Sequence, residues 1–167
     1  MTTVEKKYIL NQKGAEQKMR RMALEIMENN HDEPELILVG IRESGSVVAR
    51  TIQKMIAEIS TVKTQLLTIT LDKRMPQAID LSETFDFNNK VIILIDDVAN
   101  SGKTLLYALK PLLDFHPKKI QTLIMVERSH KEFPVAADYV GQSIASTLQE
   151  HIYVEVNDTE ILGAYLQ

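Results

Sequence analysis

Apolar residues recur at helical spacing between Asn11 and Asn30, where Met19, Met22, Ala23, Ile26 and Met27 fall on one face and predict an amphipathic helix. Glu35 to Val39 then reads as a short buried strand closed by Gly40. From Gly45 onward, Val48, Ile52, Met55, Ile56 and Ile59 form a second helical stripe. Thr64 to Leu71, rich in Thr, Leu and Ile, predicts another strand, and Asp72 to Asn89 an irregular loop. Val91 to Ile95 is an unbroken branched apolar run of the kind that parallel sheets bury on both faces. Leu105, Leu106, Leu109, Leu112 and Leu113 predict the helix that follows, although Pro111 would cost it a hydrogen bond. Ile120 to Val126 and His151 to Val156 read as the last two strands, with a short C-terminal helix from about Asp158. Strands alternating with helices predict an α/β fold: a mostly parallel twisted sheet of about five strands flanked by helices.

Composition narrows the class. The chain has 167 residues, about one domain's worth, and no linker or repeat divides it, so residues 1–167 are expected to form a single domain. Nineteen basic against 23 acidic side chains give a net charge of −4, which leaves only a local patch for any nucleic-acid contact. The absence of cysteine excludes disulfides, thiolate metal sites and thiol catalysis. No apolar run is long enough to span a bilayer, and Met1 to Leu10 lacks a secretory pattern, so a cytoplasmic location is expected.

Chemistry concentrates after the apolar run, in Asp96-Asp97-Val98-Ala99-Asn100-Ser101-Gly102-Lys103-Thr104. Two carboxylates end a buried strand, and a loop of small polar residues leads into a helix. Backbone amides there, with Ser101, Lys103 and Thr104, would cradle a phosphate. Adjacent carboxylates repel an anion, and instead suit a neutral diol or a developing positive charge. A ribose 5-phosphate offers both partners. A P-loop is excluded, because the glycine it needs five positions before Gly102 is Asp97. A strand-end turn with a helix cap is the plainer alternative, and it leaves the paired acids unexplained.

The same segment resembles the phosphoribosyl-diphosphate (PRPP) signature of the type I phosphoribosyltransferases. Over most of the chain the resemblance is to the pyrimidine-operon attenuator/uracil phosphoribosyltransferase family. Leu38-Val39-Gly40-Ile41-Arg42 is similar to that family's strand and diphosphate loop, and Val126 to Gly141 to a segment that lies near the nucleobase. The resemblance implies the type I fold with a small hood region, and transfer of ribose 5-phosphate from PRPP to a nucleobase, uracil being expected. It assigns the ribose hydroxyls to Asp96 and Asp97 and the 5-phosphate to Val98, Ala99, Asn100, Ser101, Gly102, Lys103 and Thr104. The diphosphate falls to Ile41, Arg42, Glu43, Ser44 and Gly45, with Arg42 counted beside the two acids as catalytic. Lys73 and Arg74 would belong to a mobile loop over the diphosphate, and Arg128, His130 and Val140 to the nucleobase side. Mg²⁺ would arrive on PRPP, with no carboxylate cage of its own. Self-association into a homo-oligomer, dimer or higher, is expected.

Departures from the family pattern define the alternatives. Glu43-Ser44 stands where the family has an arginine before the glycine, and the Leu71 to Phe87 segment is shorter than its counterpart. Ala136, Gln142 and Ser143 replace a basic residue, Lys and Asn near the base. Another base, purines included, and a non-catalytic nucleotide-binding regulator of RNA or transcription therefore remain as readings. The family's RNA patch on the first helix survives here as Arg20-Arg21, without its histidine. His31, His116 and His151 read as surface or structural residues.

Overall fold

The computed structural model describes residues 5–72, 79–147 and 149–167. Its centre is a six-stranded sheet built from β2 (Glu35–Ile41), β3 (Lys63–Leu71), β4 (Ile79–Leu81), β5 (Val91–Ala99), β6 (Lys119–Arg128) and β7 (Tyr139–Ile144), in the order β4-β3-β2-β5-β6-β7. Five of these strands run parallel, and the three-residue edge strand β4 is antiparallel to β3. A second sheet of three antiparallel strands, in the order β1-β9-β8, joins β1 (Lys7–Asn11), β9 (Ile161–Leu166) and β8 (Ile152–Val156).

The apolar run of β5 divides by strand alternation. Val91, Ile93 and Ile95 face the core beneath α1 (Gln12–Asn29) and α2 (Arg42–Ile59), while Ile92 and Leu94 face the core beneath α3 (Lys103–Ala108). Every residue of β5 is buried, as a strand covered on both faces requires. The stripe Met19, Met22, Ala23 and Ile26 buries α1 against the first of these cores, and the Asn11 side chain caps the helix by accepting from the Gly14 amide at 2.8 Å.

The sheet of five parallel strands agrees with the sequence, but its membership differs. The fifth parallel strand is β7, whose Gly141, Gln142 and Ser143 hide the alternation, and the strand expected from His151 pairs in the small sheet instead. The C-terminal helix expected from Asp158 is β9. Asn157 Oδ1 accepts from the amides of Thr159 and Glu160, which turns the chain into a hairpin rather than a helix. The helix after β5 stops at Ala108, and Pro111 sits in a separate 3₁₀ turn, Lys110–Leu112, so the proline breaks no α-helical bond. The loop expected over 72–89 contains β4, and β1 precedes the first helix. Among the described residues no helix is long and apolar enough to cross a membrane.

Candidate active site

From β2 the chain crosses to β3 on one side, and from β5 it crosses to β6 on the other. Where neighbouring parallel strands diverge in this way, a crevice opens beyond their carboxyl ends. The last rung between them pairs Gly40 with Ile95, so Ile41 and Asp96 are the first residues past it. Ile41, Arg42, Glu43, Ser44, Asp96 and Asp97 line a cleft of about 260 Å³ at that point. The paired acids and the expected diphosphate loop therefore meet in space, although 53 positions separate Glu43 from Asp96 in the chain.

Both acids lie inside β5 rather than after it, and both are buried. Asp96 Oδ1 accepts from the Asp97 amide at 2.9 Å, and Asp97 Oδ1 accepts from the Val98 amide at 2.8 Å. Burial, reinforced by the neighbouring Asp97 charge, holds the Asp96 carboxyl well above the usual carboxylate range, while Arg42 pulls it the other way. Helix α2 begins at Arg42, three residues before Gly45, because β2 runs directly into it. Arg42 pays for that abrupt junction with φ +56°, a left-handed conformation that costs a non-glycine residue about 1–2 kcal/mol. Its Nε is buried without a hydrogen-bond partner among the described residues. Strain and an unanswered donor at one cationic side chain fit a group that waits for an anion. Gly45 lets α2 approach β5, since a Cβ there would stand 2.9 Å from the Ile95 carbonyl oxygen and 3.2 Å from Asp96 Oδ1.

The loop that follows β5 makes a second cleft of about 230 Å³, lined by residues 98–105 and by His151. Gly102, at φ +84°, supplies the left-handed turn into α3, and Ser101 Oγ accepts from the Lys103 amide at 3.2 Å. The Ser101 carbonyl accepts from the amides of both Glu132 and Phe133 at 3.1 Å, so the segment after β6 is fastened to this loop. Lys131 packs on Gly102 and pairs with Glu127 at 2.6 Å. All seven loop residues expected from the sequence thus line one anion-sized recess, directly downstream of the acids.

The residues expected on the nucleobase side are dispersed. Arg128 is buried at the end of β6 and donates to Asn100 Oδ1 and to the Glu150 carbonyl. His130 is exposed in the loop after β6. Val140 lies level with Asp96 across β6, two strands and roughly 10 Å away. Lys73 and Arg74 lie outside the described residues. Sequence reasoning missed His151, which β8 brings to the recess of residues 98–105, because that approach depends on pairing between distant strands. It also missed Arg50, Thr68 and Thr70, which with Arg42 line a larger cleft of about 740 Å³ beside α2. Among the described residues no three His, Cys, Asp or Glu side chains are grouped to hold a metal ion.

Residues 6–160 match the phosphoribosyl transferase domain family. The Bifunctional protein PyrR of Macrococcus caseolyticus is 32% identical over 166 residues, covering 94% of this chain and 95% of that one. Its namesake from Caldicellulosiruptor bescii is 37% identical over 148 residues, covering 83% and 81%. Among solved structures, the hypoxanthine phosphoribosyltransferase of Trypanosoma cruzi superposes with a TM-score of 0.76 at 14% identity, covering 94% of this chain and 96% of that one. A hypoxanthine-guanine phosphoribosyltransferase of Bacillus anthracis gives 0.75 at 16%, covering 95% and 96%. At such identities the structural likeness is one of fold.

Proposed function

The chain belongs to the phosphoribosyl transferase family, and on that premise we propose that it transfers ribose 5-phosphate from PRPP to uracil, forming a nucleoside monophosphate and releasing diphosphate. The observation that carries this reading is the junction of two buried acids with two anion-sized recesses along one strand end. A phosphorylated pentose has the matching sequence of groups: diphosphate, ribose diol, 5-phosphate. Uracil is supported by the Val126 to Gly141 resemblance to the uracil phosphoribosyltransferase family, in a chain that matches proteins named PyrR over more than 80% of their length.

In this reading the bond from C1 of the ribose to the diphosphate oxygen breaks as the bond from C1 to N1 of uracil forms, and the N1 proton leaves to solvent. Positive charge builds on the sugar and negative charge on the leaving group. Amides and the Arg42 guanidinium at 41–45 take the departing charge, while Asp97, with Asp96 beside it, orders the ribose hydroxyls beneath the cationic carbon. The loop 98–104 fixes the 5-phosphate, so the reacting carbon is held between two anchored ends. Mg²⁺ would arrive on the diphosphate, close to Asp96 and Asp97 at the ribose, and would neutralise leaving-group charge.

A regulatory RNA partner is supported less well. Arg20 donates to Glu58 at 3.1 Å and Glu16 at 3.4 Å, and Arg21 donates to the carbonyls of Val140 and Gly141, both at 2.9 Å. Both cations already have partners within the fold. Glu43, an acid lining the diphosphate cleft, is what favours a binding protein that has lost turnover. Diphosphate release from PRPP and Mg²⁺ with a panel of bases decides among these. Release with uracil supports the proposal, release with another base moves it to that base, and binding without release leaves a nucleotide-binding regulator.

A further inference from the structure

Asn100 treats the second sheet as though it were itself a strand. Its Nδ2 donates to the Ile152 carbonyl at 3.2 Å, and the Ile152 amide returns a bond to Asn100 Oδ1 at 3.1 Å. That reciprocal pair copies the two-bond exchange between paired strand residues. Arg128 closes the arrangement from β6, donating through Nη2 to the same Asn100 Oδ1 at 3.4 Å and to the Glu150 carbonyl. The loop expected to hold the 5-phosphate is thereby joined to β6 and β8 through one carboxamide. His151, between the two residues whose backbone is gripped, is set at the recess.

Arg128 is 8% exposed, its hydrogen bonds go to neutral oxygens, and its Nε has no hydrogen-bond partner among the described residues. Burying a cation on such terms is costly, because only pairing and hydrogen bonds offset the lost hydration. A half-satisfied buried guanidinium beside an anion recess is explained if its task is to hold the recess in shape.

We propose that Arg128 and Asn100 are positioning residues for phosphate binding, together locking residues 100–104 in the form that receives the ligand's 5-phosphate. This rests on the phosphoribosyltransferase reading above, and it moves Arg128 from the nucleobase side to the phosphate side. Neither side chain needs to touch the ligand. A positioning role predicts a loss confined to the phosphate end, whereas a general structural role predicts a loss at every ligand.

The test compares ribose 5-phosphate with inorganic diphosphate plus Mg²⁺ by isothermal titration, on the wild type, Asn100→Ala and Arg128→Gln. Ribose 5-phosphate affinity is expected to fall roughly 10-fold in both variants, which corresponds to about 1.4 kcal/mol. Diphosphate affinity is expected to stay within about two-fold, and in turnover the loss falls mainly on the KM for PRPP. The partly buried Asn100 keeps the test available if Arg128→Gln fails to fold. Equal losses for both ligands, or no loss for either, would overturn the positioning role while leaving the transferase reading intact. A wild type that bound neither ligand would instead remove that reading, and the clamp's role with it.

Discussion

The Asp97 amide donates to the carboxylate of Asp96 at 2.9 Å, so the two acids are joined through the backbone while their charges oppose each other. Burial first, and Asp97 second, favour the protonated form of Asp96. The folded state therefore binds this proton more tightly than the unfolded chain does. Its contribution to stability is fully present below the unfolded carboxyl value and is lost as pH rises through the higher folded value. Asp96→Asn keeps an acceptor for the Asp97 amide and removes the ionisation. Thermal unfolding should show a higher melting temperature at neutral pH and a flatter pH dependence above the usual carboxylate range, together with reduced turnover. A lower melting temperature with unchanged pH dependence would show that burial of this acid is not what limits stability.

Asp97→Asn tests the ribose contact. The substituted amide still accepts from the Val98 amide through its oxygen, so circular dichroism and melting should match the wild type. Turnover should fall by about two to four orders of magnitude, as expected for a group acting on developing charge. Undiminished diphosphate release would mean that the ribose is held elsewhere.

Gly45→Ala probes the closeness of α2 to β5. The added methyl would meet the Ile95 carbonyl at 2.9 Å and Asp96 Oδ1 at 3.2 Å, against backbone that cannot yield freely. Urea unfolding should register a loss of about 1–3 kcal/mol, the range for forcing an extra carbon into packed structure. PRPP affinity should fall with it, because the displaced side chain is Asp96. Full stability with normal binding would show that the helix can move aside.

The two arginines of α1 separate a surface pair from an internal tie. Arg20 pairs with two exposed glutamates, so Arg20→Ala should change unfolding free energy by less than about 1 kcal/mol. Arg21→Ala removes the donor to two β7 carbonyls and should cost about 1–2 kcal/mol. Equal effects in urea titrations would contradict this division. A gel shift with structured RNA that depended on both residues would show that these intramolecular bonds open for RNA.

The parts of this molecule legible in the sequence are those in which neighbours in the chain are also neighbours in space. The run Val91 to Ile95, the stripe from Met19 to Ile26 and the Asp96–Thr104 motif each carry their own signal within one element. What was hidden depends on distant partners. Strand β1 pairs with β9, Lys7 opposite Leu166, and β1 buries only Leu10, too little to announce a strand locally. The approach of Asn100 to Ile152 spans 52 positions, and the neutral partners of Arg128 leave no charge pattern to follow. The resemblance assigns Arg128 to the nucleobase side, and its side chain donates to Asn100 in the loop after β5. The segment Asn157 to Glu160 reads as a helix start yet forms a hairpin, because Asn and Asp favour both helix caps and turns.

Crystals grown with ribose 5-phosphate offer the most direct measurement. The account predicts electron density for the sugar along the carboxyl end of β5, its hydroxyls within hydrogen-bond reach of Asp97 and its phosphate enclosed by the amides of residues 100–104. Density at any other surface, with this strand end bare at saturating ligand, would contradict it.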